Sequence, residues 1–508
     1  MNKILELIDN LVNGITMYRL ILYYLLGLWV AAAVFSLVGM LPFSFFALVC
    51  STLVIVVVCA VTNAIFARTF ETPANVESPY ITALILTFLI TPPVPFEQAG
   101  LWILIWASVW AMASKYIFAI KKKHIFNPAA FAVVVTAFFL NQAASWWIGT
   151  AIMLPLVIIG GILITRKIHR FDLVFSYFGI ALLTIILTTL TRSPLVTIQK
   201  TFVDTPLVFF AFVMLTEPLT TPPTRGLRVW YGAIVGVLFA PAVHLWSLYS
   251  TPELALLVGN FFTWMVSPKG KFMLKLQEKM QCGGDICNLV FISDGKFKFH
   301  PGQFIEWTLG HKNPDNRGNR RYFTIASSPT EKNIQLGVKF YQKSSSFKAA
   351  LSAMKPGDKL SITQLAGDFI LPHDKNRRLA FIAGGIGITP FRSMMKYLVD
   401  TRDKRSVVLF YSNKVAEDIV YRDVFDEAVK QNGAKVVYAL TDRERIPKDW
   451  TGSQGYVNAE MIAREAPDYR ERTFYLSGPH GMVVAFEKVL QDMGVHHDHI
   501  KVDFFPGF

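Results

Sequence analysis

The sequence predicts a chain in two unlike halves. An α-helical polytopic membrane domain is followed by a small antiparallel β-barrel and then by an α/β domain with a parallel sheet. Three observations carry this. The 508 residues are 53% hydrophobic and 14% aromatic with 17% charged, and the apolar excess sits in the first half; average soluble domains are less apolar. Residues 285–373 alternate in short strands broken by Asp294-Gly295, Pro301-Gly302 and Pro356-Gly357-Asp358, as in a small barrel. Residues 376–508 alternate strand-like and helical patterns, which implies a parallel sheet. The boundaries that follow are 1–266, 267–284, 285–375 and 376–508.

In the first half, a bilayer crossing needs about 20 apolar residues. Full-length candidates are 16–39, 42–66, 99–119, 127–146, 148–165, 171–190 and 227–249, with shorter ones at 79–92, 206–219 and 253–266. Together these predict ten spans. The polar, amphipathic start from Met1 to Asn13 is unlike a cleavable signal, so the first apolar segment is expected to stay. Two short segments are bracketed by proline: Glu77-Ser78-Pro79 and Thr91-Pro92-Pro93 flank one, Asp204-Thr205-Pro206 and Thr221-Pro222-Pro223 the other. Each is third in a set of five, which predicts two inverted five-span repeats with a midplane site at the paired short segments.

Charge gives orientation. Arg68, Lys121, Lys122, Lys123, Arg166, Lys167, Arg170, Arg225 and Arg228 fall in loops on one side, and the other side offers mainly Arg192 and Lys200. The positive-inside tendency places the N-terminus, these loops and the whole second half in the cytoplasm of a cell-membrane protein. A net charge of +14 would suggest nucleic acid in a soluble chain. Here the cations border apolar segments, no basic patch is interleaved with aromatics, and nucleic acid is excluded as a partner. Ionisable groups at membrane depth are costly and default to function; Glu217, inside a broken helix, is the leading candidate, and His244 is the histidine placed well within a full span.

Ser267-Pro268-Lys269-Gly270 ends the first half, and Lys271 to Lys279 is expected to form a basic linker helix on the inner surface. Cys282 and Cys287 follow in Cys-Gly-Gly-Asp-Ile-Cys; two thiols do not complete a four-thiolate cluster, and an ordinary first strand is the expected reading.

The chemistry-bearing stretch is Arg321-Tyr322-Phe323-Thr324. In a strand, Arg321 and Phe323 share one face and Tyr322 and Thr324 the other. Arginine, aromatic and hydroxyl suit a phosphate, a flat ring and a polar ring edge. The buried-strand run Arg378 to Ala383 then feeds Gly384-Gly385-Ile386-Gly387-Ile388-Thr389-Pro390 and a helix from Phe391 to Val399, the arrangement that lays backbone N–H groups against a pyrophosphate. A further strand, Thr473 to Ser477, runs into Gly478-Pro479.

These segments, in this order, resemble the ferredoxin–NADP reductase superfamily over about the last 240 residues. The resemblance implies that Arg321, Phe323 and Thr324 hold FAD, and that Lys343, Ser345 and Ser346 form its second phosphate segment. It implies that Gly384, Gly385, Gly387, Thr389 and Pro390, with Ser477, Gly478 and Pro479, hold the nicotinamide nucleotide. Phe505 or Phe508 would be the terminal aromatic near the flavin. Thr324, Ser477 and Phe508 are the implied catalytic positions. Ser412 and Asp442, at strand ends, would face the adenosine sugar. Asp442 would repel a 2′-phosphate whereas Arg443 could attract it, and NADH is favoured over NADPH.

A second resemblance covers about residues 15–265. Lys123-His124-Ile125-Phe126-Asn127-Pro128-Ala129-Ala130, Met214 to Pro222, and Gly226-Leu227-Arg228 look like the family of membrane proteins shared by the Rnf complex and the sodium-translocating NADH:quinone reductase (Nqr). The S-G-A-T flavinylation loop of those proteins has no counterpart; Asn141 to Trp147 stand where it would fall, with Thr197, Thr216, Thr220 and Thr221 as weak substitutes. Non-covalent FMN or a quinone is therefore the candidate occupant of this half. The expected function is a membrane-bound, FAD-dependent NAD(P)H oxidoreductase. Its partners would be the bilayer, a quinone or other acceptor, and further redox subunits. A redox-driven Na+ or H+ pump component of the Rnf/Nqr type, a haem-bearing transmembrane reductase and a redox-sensing transporter are the alternatives.

Overall fold

The computed structural model describes residues 15–70, 77–120, 123–189, 193–267, 271–295, 298–312, 314–315, 318–341 and 344–503, except the side chain of Cys282. The chain divides into two compact units, 1–270 and 271–508.

The first unit is helical: α1 (Met17–Leu37), α2 (Phe45–Thr69), α3 (Glu77–Leu89), α4 (Gln98–Ile117), α5 (Pro128–Leu140), α6 (Leu154–Ile168), α7 (Phe171–Thr188), α8 (Pro194–Asp204), α9 (Leu207–Phe209, continuing as a π-helical turn Phe210–Met214), α10 (Arg225–Phe239) and α11 (Pro252–Val266). Hydroxyl and amide caps set several starts. Thr16, Ser44, Asn127 and Thr251 each accept a backbone N–H three residues on, and proline follows Asn127 and Thr251 at the first helical position. Small residues let helices close up: a Cβ on Gly232 would lie 2.9 Å from the Leu173 carbonyl oxygen, and one on Gly236 3.0 Å from that of Tyr177. This is the small-residue contact that joins helices where water supplies no driving force.

Every predicted span carries a helix, yet among the described residues the number long and apolar enough to cross a membrane is four, α1, α2, α4 and α7, or five if the bent pair α8 and Leu207–Met214 counts as one. This corrects the expectation of ten. Helices α3, α5, α6, α10 and α11 have 13 to 15 residues, so each rises only about 20–23 Å against a hydrocarbon core of about 30 Å. Apolar composition continued past the points where the backbone stops. Asn141 and His169 end α5 and α6 in the left-handed region at φ 53° and 52°. Helix α10 stops before Pro241, and the chain then makes a hairpin of β3 (His244–Leu245) and β4 (Leu248–Tyr249) after an earlier one of β1 (Ala119–Ile120) and β2 (Lys123–His124). His244 thus lies exposed on a hairpin and not within a span. Helix α8, in a stretch read as loop, bends by 69° into the second short segment. The two short segments are mostly buried and touch, Phe88 packing edge-on against Phe209.

The second unit begins with a six-stranded antiparallel half-barrel of β5 (Phe272–Gly283), β6 (Ile286–Ser293), β7 (Phe304–Thr308), β8 (Arg320–Thr324), β9 (Ile334–Lys339) and β10 (Lys359–Ala366), ordered β8-β7-β10-β5-β6-β9. Helix α12 (Ser346–Ala353) follows β9. The expected linker helix at 267–284 is instead strand β5. Phe272, Leu274 and Leu276 are buried while Met273, Lys275 and Gln277 are exposed, a period of two that a basic amphipathic helix does not have. The barrel therefore starts near 272 and not at 285.

A parallel sheet comes next: β11 (Leu379–Gly384), α13 (Thr389–Asp400), β12 (Val407–Asn413), α14 (Arg422–Asn432), β13 (Lys435–Leu440), β14 (Ser453–Gln454), α15 (Ala459–Glu465), β15 (Thr473–Ser477), α16 (His480–Asp492) and β16 (Ile500–Asp503), with strand order β14-β13-β12-β11-β15-β16. Leu379, Phe381 and Ala383 face α13 and α14 while Ala380 and Ile382 join the core on the other side. Burial on both faces explains the unbroken apolar run. The order reverses between β11 and β15, and that crevice is where open α/β sheets take ligands.

Candidate active site at the sheet reversal

Strand β11 ends at Gly384, and a tight turn, Gly385–Ile388, leads into α13. Three glycines are closely packed, and at Gly387 the neighbour is backbone that cannot give way cheaply. A Cβ on Gly387 would sit 2.5 Å from the Ser477 carbonyl oxygen; one on Gly384 would meet the Met482 sulfur at 2.4 Å; and one on Gly478 would lie 3.2 Å from the Gly384 Cα. Gly385 has φ +53° with open space where its Cβ would be, so its requirement is conformational and leaves room beside the turn. Pro390 is buried at the first turn of α13, and the Thr389 hydroxyl donates back to the Ile386 carbonyl at 3.3 Å. Thr389 thus closes the turn on itself.

The barrel meets this crevice at Thr324. Strand β16 lies beside β15 with Asp503 opposite Ser477, and the Thr324 side chain lies near the Asp503 carboxyl. Thr324, Ser477 and Asp503 are all buried. Burial pushes the Asp503 carboxyl up to about 8, with the nearby Thr324 side chain pulling the other way. Its Oδ2 has no hydrogen-bond partner among the described residues. A neutral carboxyl here would carry a proton at physiological pH.

On the other face of β8, Arg321 and Phe323 point together as alternation requires. The Arg321 guanidinium lies 5.2 Å over the Phe347 ring, and Phe323 packs on the same ring at 6.1 Å. Tyr322 is exposed, its hydroxyl donating to Gln364 Oε1 at 2.7 Å. Arg321 Nη2 reaches Asp315 Oδ1 at 3.5 Å, Asp315 Oδ2 accepts the Ser346 backbone N–H at 3.0 Å, and Ser345 caps α12. Arginine and helix N-terminus are thereby brought to one place, a combination suited to phosphate. Lys343, Phe505 and Phe508 lie outside the described residues.

Ser412 aligns with Gly384 on the neighbouring strand and is half-buried. Asp442 lies just past β13, its backbone N–H donating to the Lys414 carbonyl at 3.1 Å. These two positions occupy the far side of the crevice from Thr324, separated from it by β11. Sequence reading missed Asp503, Asp315 and Phe347. A single acid in the apolar run Ile500 to Phe505 was the available signal for the first; the other two become visible only once Asp315 and α12 are brought beside β8.

The first unit gathers a separate polar cluster. Glu217 Oε1 lies 3.3 Å from His124 Nε2, and its Oε2 accepts from Asn127 Nδ2 at 2.9 Å and Thr220 Oγ1 at 3.1 Å. Asn127 is tied to Asn260, and Asn260 to the Tyr231 hydroxyl. Glu253, buried and accepting the Trp146 indole N–H at 3.1 Å, is a second acid that sequence reading passed over. Thr216 is buried with its hydroxyl bonded to the Phe212 carbonyl, Thr221 and Thr197 likewise bond local carbonyls, and each is engaged within its own turn.

Residues 381–488 match the model of the oxidoreductase NAD-binding domain. The chain is 26% identical over 236 residues to the glycine betaine monooxygenase reductase subunit of Pseudomonas aeruginosa, covering 45% of this chain and 64% of that protein. It is 29% identical over 235 residues to NADH-cytochrome b5 reductase 1 of Mortierella alpina, covering 45% and 77%. Among solved structures, the cytochrome b5 reductase domain of Ulva prolifera nitrate reductase aligns at 22% identity and TM-score 0.41 over 47% of this chain and 97% of that one. The chain thus spans under two thirds of the Pseudomonas relative. Its C-terminal region matches the FAD- and NAD-binding oxidoreductases of the ferredoxin–NADP reductase family.

Proposed function

We propose that this chain is a membrane-bound, FAD-dependent NAD(P)H oxidoreductase that passes electrons from NAD(P)H through FAD to an acceptor in or across the membrane. The observation that carries it is the convergence of Thr324, Ser477 and the buried, unpaired oxygen of Asp503 at the sheet reversal. The residues present fit the two cofactors. Arg321 and the capped start of α12 would hold the flavin phosphates. Close packing at Gly384, Gly387 and Gly478, with open space beside Gly385, makes a turn suited to the nicotinamide nucleotide. FAD, when bound, supplies acceptance of a hydride and release of single electrons.

The chain's own residues orient and exclude. Thr324 offers a hydroxyl near the Asp503 carboxyl. Asp503, held protonated by burial, keeps a proton at its carboxyl beside that hydroxyl without adding negative charge to the site. Met482 and Pro479 pack against Gly384, and Met482 also against Gly478. Asp442 at the sugar end supports NADH over NADPH, since a carboxylate there opposes a 2′-phosphate. The test is NAD(P)H oxidation by the purified full chain with an artificial one-electron acceptor, before and after FAD is stripped and restored. Loss and recovery with FAD is expected; undiminished oxidation without FAD overturns the proposal.

A second reading rests on the Glu217 cluster. A carboxyl with histidine, asparagine and threonine on its oxygens, in a unit with four helices long enough to cross a bilayer, favours a redox-driven cation-moving component. Sealed vesicles that oxidise NADH without developing a Na+ or H+ gradient would exclude it. A haem-bearing arrangement loses its support, because His244 is on an exposed hairpin.

A further inference from the structure

We infer that Arg392 is a positioning residue, setting the nicotinamide-binding turn against the flavin strand; this rests on the functional reading above. Arg392 lies on α13, three residues beyond Thr389. Its Nη1 donates to the Ala326 carbonyl at 3.2 Å and to Glu331 Oε2, and its Nη2 donates to Glu331 Oε1 at 2.9 Å. Its guanidinium lies 5.7 Å over the Tyr421 ring. The next residue, Ser393, donates its hydroxyl to the Ser327 carbonyl at 2.7 Å. Ala326 and Ser327 directly follow Ile325 and Thr324. The first turns of the nucleotide helix therefore grip the exit of the strand that carries the reactive hydroxyl.

The barrel side of this grip is itself braced. Glu331 also accepts the Ser328 backbone N–H at 2.6 Å and Gln335 Nε2 at 3.1 Å, and the Tyr421 hydroxyl donates to Asn288 Oδ1 at 3.2 Å. Both Arg392 and Ser393 are buried. An ion pair removed from water is weak evidence for stability, because desolvating two charges offsets their attraction. What a bidentate, planar contact contributes is a fixed distance and angle. The same interface holds a second ion pair, Lys339 Nζ to Asp418 Oδ2 at 2.8 Å, which joins the barrel to the β12–α14 loop away from Thr324. The two pairs are comparably shielded from water and differ in what they anchor.

The experiment compares Arg392→Gln, Arg392→Lys, Ser393→Ala and Lys339→Gln in the FAD-loaded full chain. Flavin content, melting temperature, NADH affinity and the limiting rate of flavin reduction in stopped flow are measured for each. Arg392→Gln is expected to lower the limiting rate by about 10- to 100-fold, the cost of a misplacement near 1 Å, with NADH affinity changed less than about threefold. Arg392→Lys should recover part of that loss. Lys339→Gln should lose comparable melting temperature while its rate stays within about twofold of wild type.

Ser393→Ala removes a contact without stranding a charge and should cost about three- to tenfold. It decides the matter if Arg392→Gln does not fold. A readout independent of turnover is the melting temperature of the FAD-free chain across Arg392→Gln, Glu331→Gln and their combination, where strongly non-additive shifts are expected. Rates that fall only in step with melting temperature, or equally for Lys339→Gln and the position-392 variants, overturn the inference. A wild-type chain that NADH does not reduce would instead overturn the functional reading beneath it.

Discussion

Replacing Asp503 by asparagine tests the core of the site without reference to turnover. The carboxyl is pushed up to about 8 in the fold from an ordinary 3.8. A group whose pKa is raised on folding stabilises the fold fully below its unfolded value, and that stability is lost as pH rises through the folded value. The window here runs from about pH 4 to about pH 8. Each unit inside it corresponds to about 1.4 kcal/mol, so wild type at pH 7 carries a penalty of up to about 4 kcal/mol for keeping the carboxyl neutral. Asparagine has the same shape and no charge to suppress. It leaves one amide group to satisfy, at about 1–3 kcal/mol.

The offset at any single pH is therefore ambiguous, and the slope is not. Between pH 5 and pH 8 the variant should gain on wild type by up to about 4 kcal/mol. At about 2–4 °C per kcal/mol for a domain of this size, the two melting temperatures should diverge by up to about 8–16 °C. The assay is thermal unfolding of the FAD-free full chain followed by intrinsic fluorescence at half-unit pH steps. Other titrating groups cancel in the difference. Parallel melting curves across the window would show that Asp503 does not titrate as a buried acid, and the neutral, proton-holding role would fall.

Gly387→Ala places a methyl 2.5 Å from the Ser477 carbonyl oxygen. It should weaken NADH binding by about tenfold or more and cost about 1–3 kcal/mol of overpacking strain, measured by calorimetric titration and thermal unfolding. Arg321→Ala should lower the FAD retained on purification several-fold, and Arg321→Lys should recover it only in part because a bidentate fork becomes a point charge; absorbance per chain reads both. Leu274→Ala should cost about 2–5 kcal/mol as a core truncation while Lys275→Ala stays within about 0.5 kcal/mol. Equal effects at the two positions would contradict strand β5.

Local chemistry made much of the reductase unit legible. Glycines at 384, 385, 387 and 478 announce a tight, closely packed turn, and the alternation through 321–324 is enough to set the facing of Arg321 and Phe323. The linker failed for a reason visible in hindsight. Lysines at 271, 275 and 279 recur every four residues and suggest a helix, whereas the apolar positions at 272, 274 and 276 recur every two, and burial follows the apolar set. In the first unit, hydropathy located a helix in every expected span but passed over α8 and overstated the length of several. Apolar residues continue through backbone breaks such as Asn141 and the turn before β3, so composition alone cannot say where a helix stops. Asp503 was out of reach because its meaning depends on strand pairing that no local pattern encodes.

That last dependence explains why the site sits where it does. In the order β14-β13-β12-β11-β15-β16, the chain leaves the first strand, winds to one edge, then returns to the opposite side of β11. The final strand is thereby forced to the other edge, with its end level with Ser477. In this unit that edge faces the barrel at Thr324, so the acid that closes the last strand lies near the side chain that ends strand β8. One register step in β16 would turn Asp503 to the opposite face and place Val502 against Thr324. Lengthening the loop before β16 by one glycine should be tolerated if strand pairing alone fixes that register. If the loop also sets it, the insertion should erase the pH-dependent difference between wild type and Asp503→Asn while the sheet still melts cooperatively.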